Sequence, residues 1–414
     1  MISVEEAIET ILREIRPLSL ESTDIIGALG RVLGEDIRAS RPNPPWDNSA
    51  MDGYALVSQD TLGASVENPV KLKVIYDLPA GSIPQGPVAG GAAVRIMTGA
   101  PVPDGATAVI MVEKTEQGAD GSVIIRSEVK AGENIRRRGE DFNAGDTVIK
   151  KGSVVRPAEV GMLATVGVPF ISVHKRPRVA VLSTGDELCE INQTPAMGKI
   201  TNSNGYALTA LVAECGAEPV QLGIARDNRE SLREKLASAM KYDCIISSGG
   251  VSVGDYDFVK DVLKDMGSDM IFWKVAMKPG KPLAFGVIGG RPAFGLPGNP
   301  ISSMVAFEQF VRPALLKMSG RTDIFRGLID ARLTEDIRIK PGRMNFIRAE
   351  LKRDIDGAFK VAPLEGQGSG MISTMVRANS YIVVSKDSTG FKKDATVKVQ
   401  PFDSSVLMEK EPGY

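Results

Sequence analysis

Between residues 177 and 320 the sequence alternates short apolar runs with amphipathic stretches, and this alternation limits the fold more than any other feature. RVAVLST, EPVQLGIA, DCIISS, MIFWKVAM, PLAFGVI and AFGLP read as strands. NGYALTALVAECG, NRESLREKLASAMK, YDFVKDVLKDMG and PISSMVAFEQFVRPALLKM read as helices. Strands and helices in that order build a doubly wound α/β domain with a mostly parallel sheet.

The flanks read differently. Val4, Ala7, Ile8, Ile11, Leu12 and Ile15 fall on helical spacing, and a second short helix is expected over 23–33. RPNPPWDN (residues 41–48) holds three prolines, which forbid regular structure and mark a boundary. VKLKVIYDL, AAVRIMTG, TAVIMVE and SVIIRSEV then predict a small β domain over 42–142. GDTVIKKGS and RPAEVGMLATVGV follow as a strand and a helix that opens at Pro157. After Gly320 the runs IDARLTEDIRI, NFIRAELKRD and SYIVVSKD predict a terminal β-barrel. The expectation is a multidomain α/β protein. Residues 1–41 and 143–176 form a discontinuous N-terminal helical and linker domain, 42–142 an inserted β domain, 177–320 the catalytic α/β domain and 321–414 the barrel.

Residue counts remove whole classes of chemistry. His174 is the one histidine in 414 residues, so a Ser-His-Asp or Cys-His arrangement has a single place to form. The three cysteines, Cys189, Cys215 and Cys244, have no C-x-x-C spacing, so a zinc site is not expected. A net charge of −1 and 5% aromatics give nucleic acid neither a basic field nor stacking platforms. No apolar run reaches the ~18 residues of a membrane span. The segment MISVEEAIETILREI carries acids where a signal peptide carries bases, so a cytoplasmic location is expected. Any metal must be hard and oxygen-bound.

Ligands of open α/β sheets bind beyond the carboxyl ends of the strands. In this sequence those ends carry Gly185-Asp186-Glu187, Arg226-Asp227, a loop GGVSVGDYD (residues 249–257), Lys278-Pro279-Gly280-Lys281 and Gly298-Asn299-Pro300. The glycines of the loop let backbone N–H groups approach an anion. Asn299 and Pro300 read as the cap and first residue of a helix whose N-terminus suits oxyanions. Each loop taken alone is equally well a solvated turn or a helix start. Together they predict a phosphate-bearing molecule or another tetrahedral oxyanion, bound with Mg²⁺ on one or two carboxylates.

Seven stretches resemble one family in order: PPWDNSAMDGYAL (44–56), RIMTGAPVPDGA (95–106), GENIRRRGEDF (132–142), LSTGDEL (182–188), SSGGVSVGDYDFVK (247–260), AMKPGKPLAFG (276–286) and GLPGNPISS (295–303). They are similar to the molybdopterin molybdenumtransferases of the MoeA family, which includes the gephyrin E domain; GRMNFIRAEL and GSGMIS extend the likeness more weakly. The resemblance implies that molybdate is ligated to the dithiolene of adenylylated molybdopterin, with Mg²⁺-assisted release of AMP. It implies roles for the carboxylates Asp52, Asp141, Glu187, Asp227 and Asp257, with Glu187 and Asp257 holding Mg²⁺. Lys278 and Lys281 would neutralise phosphate or molybdate oxygens. Thr98 and Arg137 would contact substrate, with Gly249, Gly250, Ser252, Gly254, Pro297, Asn299, Pro300 and Ser369 completing the binding site.

The resemblance also implies an elongated homodimer whose cleft combines domains of both subunits. The upstream adenylyltransferase and cofactor-accepting apoenzymes stand as further partners. Two alternatives stay open: a molybdopterin adenylyltransferase-type nucleotidyl transfer, and a non-catalytic, gephyrin-like scaffold.

Overall fold

The computed structural model describes residues 1–249, 262, 265–354, 357–408 and 412. The chain divides into two compact units. One comprises Met1–Gly34, Gly152–Arg156 and Phe170–Tyr414; the other comprises Glu35–Lys151 and Pro157–Pro169.

In the first unit six strands form one sheet in the order Glu218–Ala225, Arg178–Thr184, Cys244–Ser248, Arg291–Leu296, Pro282–Ile288, Ser268–Lys274. The first three pairings are parallel and the last two antiparallel. The parallel part is therefore smaller than the alternation predicts, for a local reason. Gly289 and Gly290 (φ 52° and 79°) close a tight hairpin between Ile288 and Arg291, and a hairpin reverses the chain where a crossover would not. Two reversals restore direction, so Ser268–Lys274 ends on the same edge as the parallel strands.

Both faces of this sheet are covered. Val179, Val181, Ile246, Phe285 and Phe294 pack with Leu208 and Val212 of helix Ser203–Glu214 and with Ile301, Phe307 and Phe310. Ala180, Leu182 and Ile245 face Leu232 and Leu236 of helix Arg229–Ala239. Val4, Ala7 and Ile11 of helix Val4–Glu14 join the first core, and a Ser3–Glu6 capping box starts that helix. Residues 300–318 run as one helical rod with a π segment at Phe307–Val311. That segment lies just before Pro313, which has no N–H to continue the α pattern.

The helix expected over 23–33 is absent. Leu20–Asp24 pairs antiparallel with Phe170–His174, and turns follow. Asp24 Oδ1 accepts the N–H groups of Ile26 and Gly27 at 3.0 and 2.8 Å as a helix cap would, but Gly30 at φ 78° leaves the helical region and the turn goes no further.

Strands Ile329–Leu333, Met344–Arg353, Phe359–Pro363, Ser380–Val384 and Thr396–Pro401 close on themselves as a five-stranded barrel. Leu333, Leu351, Val361, Ile382 and Val399 fill it. The short strand Met277–Lys278 adds to it, with Met277 opposite Met344 and Lys278 opposite Asn345.

The second unit holds a six-stranded sheet in the order Ala108–Met111, Gly53–Leu56, Ala92–Ile96, Val70–Leu78, Ser122–Ile125, Thr115–Gln117. Tyr54 and Leu56 belong to one core and Ala55 to the other, as strand alternation requires. A short pairing of Asn48–Ser49 with Ile135–Arg136 brings the DNSAMDG and RRRGED stretches together. Among the described residues no helix is long and apolar enough to cross a membrane.

Candidate functional site

Five chain segments meet at the carboxyl edge of the first unit's sheet. Strand Arg178–Thr184 ends in Gly185, whose φ of 148° is one that L side chains rarely adopt. The Glu187 carboxylate occupies the space that a Cβ would fill there. Asp186 and Asp227 tie the neighbouring loops together: each carboxylate accepts the other's backbone N–H.

Cys244–Ser248 ends in Gly249 at φ 90°, where a Cβ would lie 2.5 Å from the Thr184 carbonyl oxygen. Gly249 N–H donates to the Leu296 carbonyl at 3.1 Å. The Asn204 amide donates to Ser248 Oγ at 2.7 Å and to the Gly298 carbonyl at 2.8 Å. Gly249, Pro297, Gly298 and Asn299 are thus held together, and Thr184 Oγ1 is buried beside them without a partner among the described residues. Gly250, Ser252, Gly254 and Asp257 lie outside the described residues.

Asn299 occupies the cap position before Pro300, yet its side chain makes no capping bond. Its carbonyl accepts from Ser303 N–H at 3.0 Å, and the Ser369 carbonyl takes the Ile301 N–H at 3.1 Å. The helix start is therefore less open to an anion than the Asn-Pro pair predicts, because Ser369 meets it through its backbone. Lys278 and Lys281 are exposed, and neither ammonium group has a hydrogen bond or ion pair among the described residues.

Arg348 was not among the residues expected from sequence. It is fully buried on strand Met344–Arg353. Its Nη2 donates to the Gly366 and Gly368 carbonyls at 2.9 and 3.2 Å, while Nε and Nη1 have no partner among the described residues. Burial works against its charge and lowers its pKa. The sequence signal is its two-residue spacing from the buried Phe346, which puts a cation on an inward strand face.

Asp52, Thr98, Arg137 and Asp141 all fall in the second unit. Asp52 Oδ1 accepts both the backbone N–H and the hydroxyl of Thr98 at 2.7 Å. The backbone N–H, then the hydroxyl, hold this carboxyl below the usual carboxylate range. Arg137 pairs with Asp47 at 2.6 Å rather than with Asp141, which instead accepts from the Asn43 amide at 3.0 Å. Asp47 was also missed. Partial burial pushes its pKa up, but the Arg138 N–H and the Arg137 guanidinium hold it low.

Nucleophilic thiol chemistry finds no support. His174 and Cys215 line one cavity of about 180 Å³, but burial pushes the Cys215 thiol up to about 12. His174 Nδ1 is bonded to the Leu18 carbonyl at 2.8 Å. Burial raises Cys244 as well. Among the described residues no group of three or more His, Cys, Asp or Glu is placed to hold a metal.

Comparison with known proteins matches this arrangement. Residues 2–167 fit the MoeA N-terminal region (domain I and II), 180–317 the probable molybdopterin binding domain and 330–402 the MoeA C-terminal region (domain IV). These matches define the class: a transferase of molybdenum cofactor biosynthesis. The molybdopterin molybdenumtransferase of Staphylococcus aureus strain COL is 37% identical over 410 residues, 99% of this chain and 97% of the relative. Molybdopterin molybdenumtransferase 2 of Mycobacterium tuberculosis is 40% identical over 396 residues, 94% and 96% of the two chains. The crystal structure of the molybdopterin biosynthesis moeA protein of Pyrococcus horikoshii OT3 superposes with a TM-score of 0.83 at 30% identity, covering 97% of this chain and 100% of that one. The chain belongs to the MoeA family.

Proposed function

We propose that this protein inserts molybdate into adenylylated molybdopterin with release of AMP. The observation that carries this reading is the buried Arg348, whose Nε and Nη1 have no partner among the described residues and which stands on the barrel strand that also receives Lys278 through Asn345. Buried donors without acceptors are costly and are found where a ligand supplies the acceptor. The Gly366 and Gly368 carbonyls fix the guanidinium, and the same loop contacts the Ile301 turn through Ser369. The exposed Lys278 and Lys281 supply charge for an oxyanion, and the buried Arg348 holds directed donors on the strand that Lys278 joins.

Glu187 serves the phosphate side of the substrate. Its exposed carboxylate lies over Gly185, on a turn that the Asp186–Asp227 pair ties to the neighbouring loop. Mg²⁺ takes one or two carboxylates and completes its shell with water and phosphate, which the exposed Glu187 carboxylate suits. Glu187, with Asp257 from outside the described residues, would hold it, and the ion supplies charge neutralisation at the pyrophosphate. The chain's own groups bind and orient; no side-chain nucleophile is required, and positioning with electrostatics carries the acceleration.

The same reading divides this chemistry between residues 177–320 and the barrel strand that carries Arg348, and it expects a homodimer in the cytoplasm. Purified protein given adenylylated molybdopterin, molybdate and Mg²⁺ is expected to release AMP and to yield cofactor that activates an apo-molybdoenzyme. Adenylylation of molybdopterin from ATP, or no turnover at all, would overturn the proposal.

A further inference from the structure

A cavity of about 240 Å³ in the second unit is lined by Arg41, Asn43, Pro45, Trp46 and Phe142, among others. Trp46, one of two tryptophans in the chain, is 52% exposed, whereas Phe142 is buried. Tryptophan is among the residues most buried on average, so an indole left open at a cavity is a stacking surface without its partner. The Arg41 guanidinium has no hydrogen bond or ion pair among the described residues. The Asn43 side chain is oriented by its bond to Asp141 Oδ2 at 3.0 Å, and its backbone is locked to Phe142 and Asp141, which leaves its amide oxygen free to accept. An aromatic face, a planar donor fork and a fixed acceptor together recognise a flat nitrogen heterocycle with donors and acceptors on one edge.

We propose that this cavity is a subsite for a fused two-ring heterocycle of the substrate, stacked on Trp46 and read at its edge by Arg41 and Asn43. The inference rests on the function proposed above, whose substrate carries two such rings, a pterin and an adenine.

The full-length Trp273→Phe protein leaves Trp46 as its sole tryptophan and so reports on this cavity alone. Neopterin and AMP are titrated separately, without molybdate or Mg²⁺. Saturable quenching of Trp46 emission is expected with at least one of them, and Arg41→Ala should weaken it about tenfold. Saturation by neopterin assigns the pterin end, and saturation by AMP the adenine end. No saturable response to either, in protein with an unchanged melting temperature, overturns the subsite. In turnover, Trp46→Ala should raise KM for the adenylylated substrate about tenfold, on the scale of one lost aromatic stack, with kcat within twofold. Trp46→Phe should recover most of that loss. Turnover with an unchanged KM overturns the subsite and spares the proposed reaction; absence of wild-type turnover removes the reaction, while the titration still decides the cavity.

Discussion

Asp186 and Asp227 hold each other across two loops: Asp186 N–H donates to Asp227 Oδ2 at 3.1 Å, and Asp227 N–H donates to Asp186 Oδ1 at 3.2 Å. The pair locks the ends of two neighbouring parallel strands and fixes the backbone on which Glu187 stands. Asp227→Ala should therefore loosen the 185–188 turn, seen as faster amide exchange there, and lower AMP release at least tenfold. Asp227→Asn keeps an acceptor oxygen and should retain most activity. Equal loss in both variants would assign Asp227 a role through its charge instead.

Gly185 tests the placement of Glu187 directly. Gly185→Ala puts a methyl group where the Glu187 carboxylate lies, at a φ that L-residues avoid. A stability loss of roughly 1–3 kcal/mol is expected from the backbone alone. Activity should fall further than Glu187→Gln accounts for in its correctly folded fraction; wild-type turnover would show that Glu187 need not stay there.

Arg348→Met removes the bonds to Gly366 and Gly368 together with the buried unsatisfied donors, so the net change in stability should stay within about 2 kcal/mol. Molybdate should raise the melting temperature of the wild type and leave that of Arg348→Met unmoved. A molybdate shift of wild-type size in the variant would make Arg348 a purely structural residue.

Lys278→Ala and Lys281→Ala each delete an unpaired cation and should weaken molybdate or AMP binding. Raising ionic strength should reproduce part of the defect in the wild type, since the screening length is ~8 Å at 0.15 M and shorter beyond. Wild-type affinity in both variants would mean that water alone surrounds these side chains.

The Asp52 carboxyl is held low by Thr98, so its folded pKa lies below the unfolded value of about 3.9. The sign follows: the stabilisation it gives is complete above the unfolded value and is lost as pH falls through the folded one. Carboxyl carbon shifts in an NMR titration should show Asp52 still ionised where ordinary aspartates have protonated. Thr98→Val removes the hydroxyl but keeps the N–H, so the pKa should rise only part of the way.

Local pattern made much of this readable. EPVQLGIA and PLAFGVI coincide with strands Glu218–Ala225 and Pro282–Ile288 because continuous apolar runs between turn residues leave few other options. The gathering of Glu187, Gly249, Lys278 and Asn299 at one edge followed from strand order alone. What escaped depends on contacts distant in sequence. Asp47 capturing Arg137 and Arg348 reaching the 366–368 carbonyls each need a partner that spacing does not reveal. The reversal at Gly289-Gly290 was visible as a turn, yet its effect on sheet direction needed the pairing itself.

The strand Met277–Lys278 hydrogen-bonds into the terminal barrel while its neighbours in sequence belong to the α/β sheet. Residues 177–320 are therefore not a transplantable cassette. Cut before the barrel, the chain would keep its central sheet but lose the splint that fixes Lys278. Grafted onto a foreign barrel, it would inherit whatever strand register that barrel imposed. Any test of the proposed anion site has to treat the barrel strands between Ile329 and Pro401 as part of the lock.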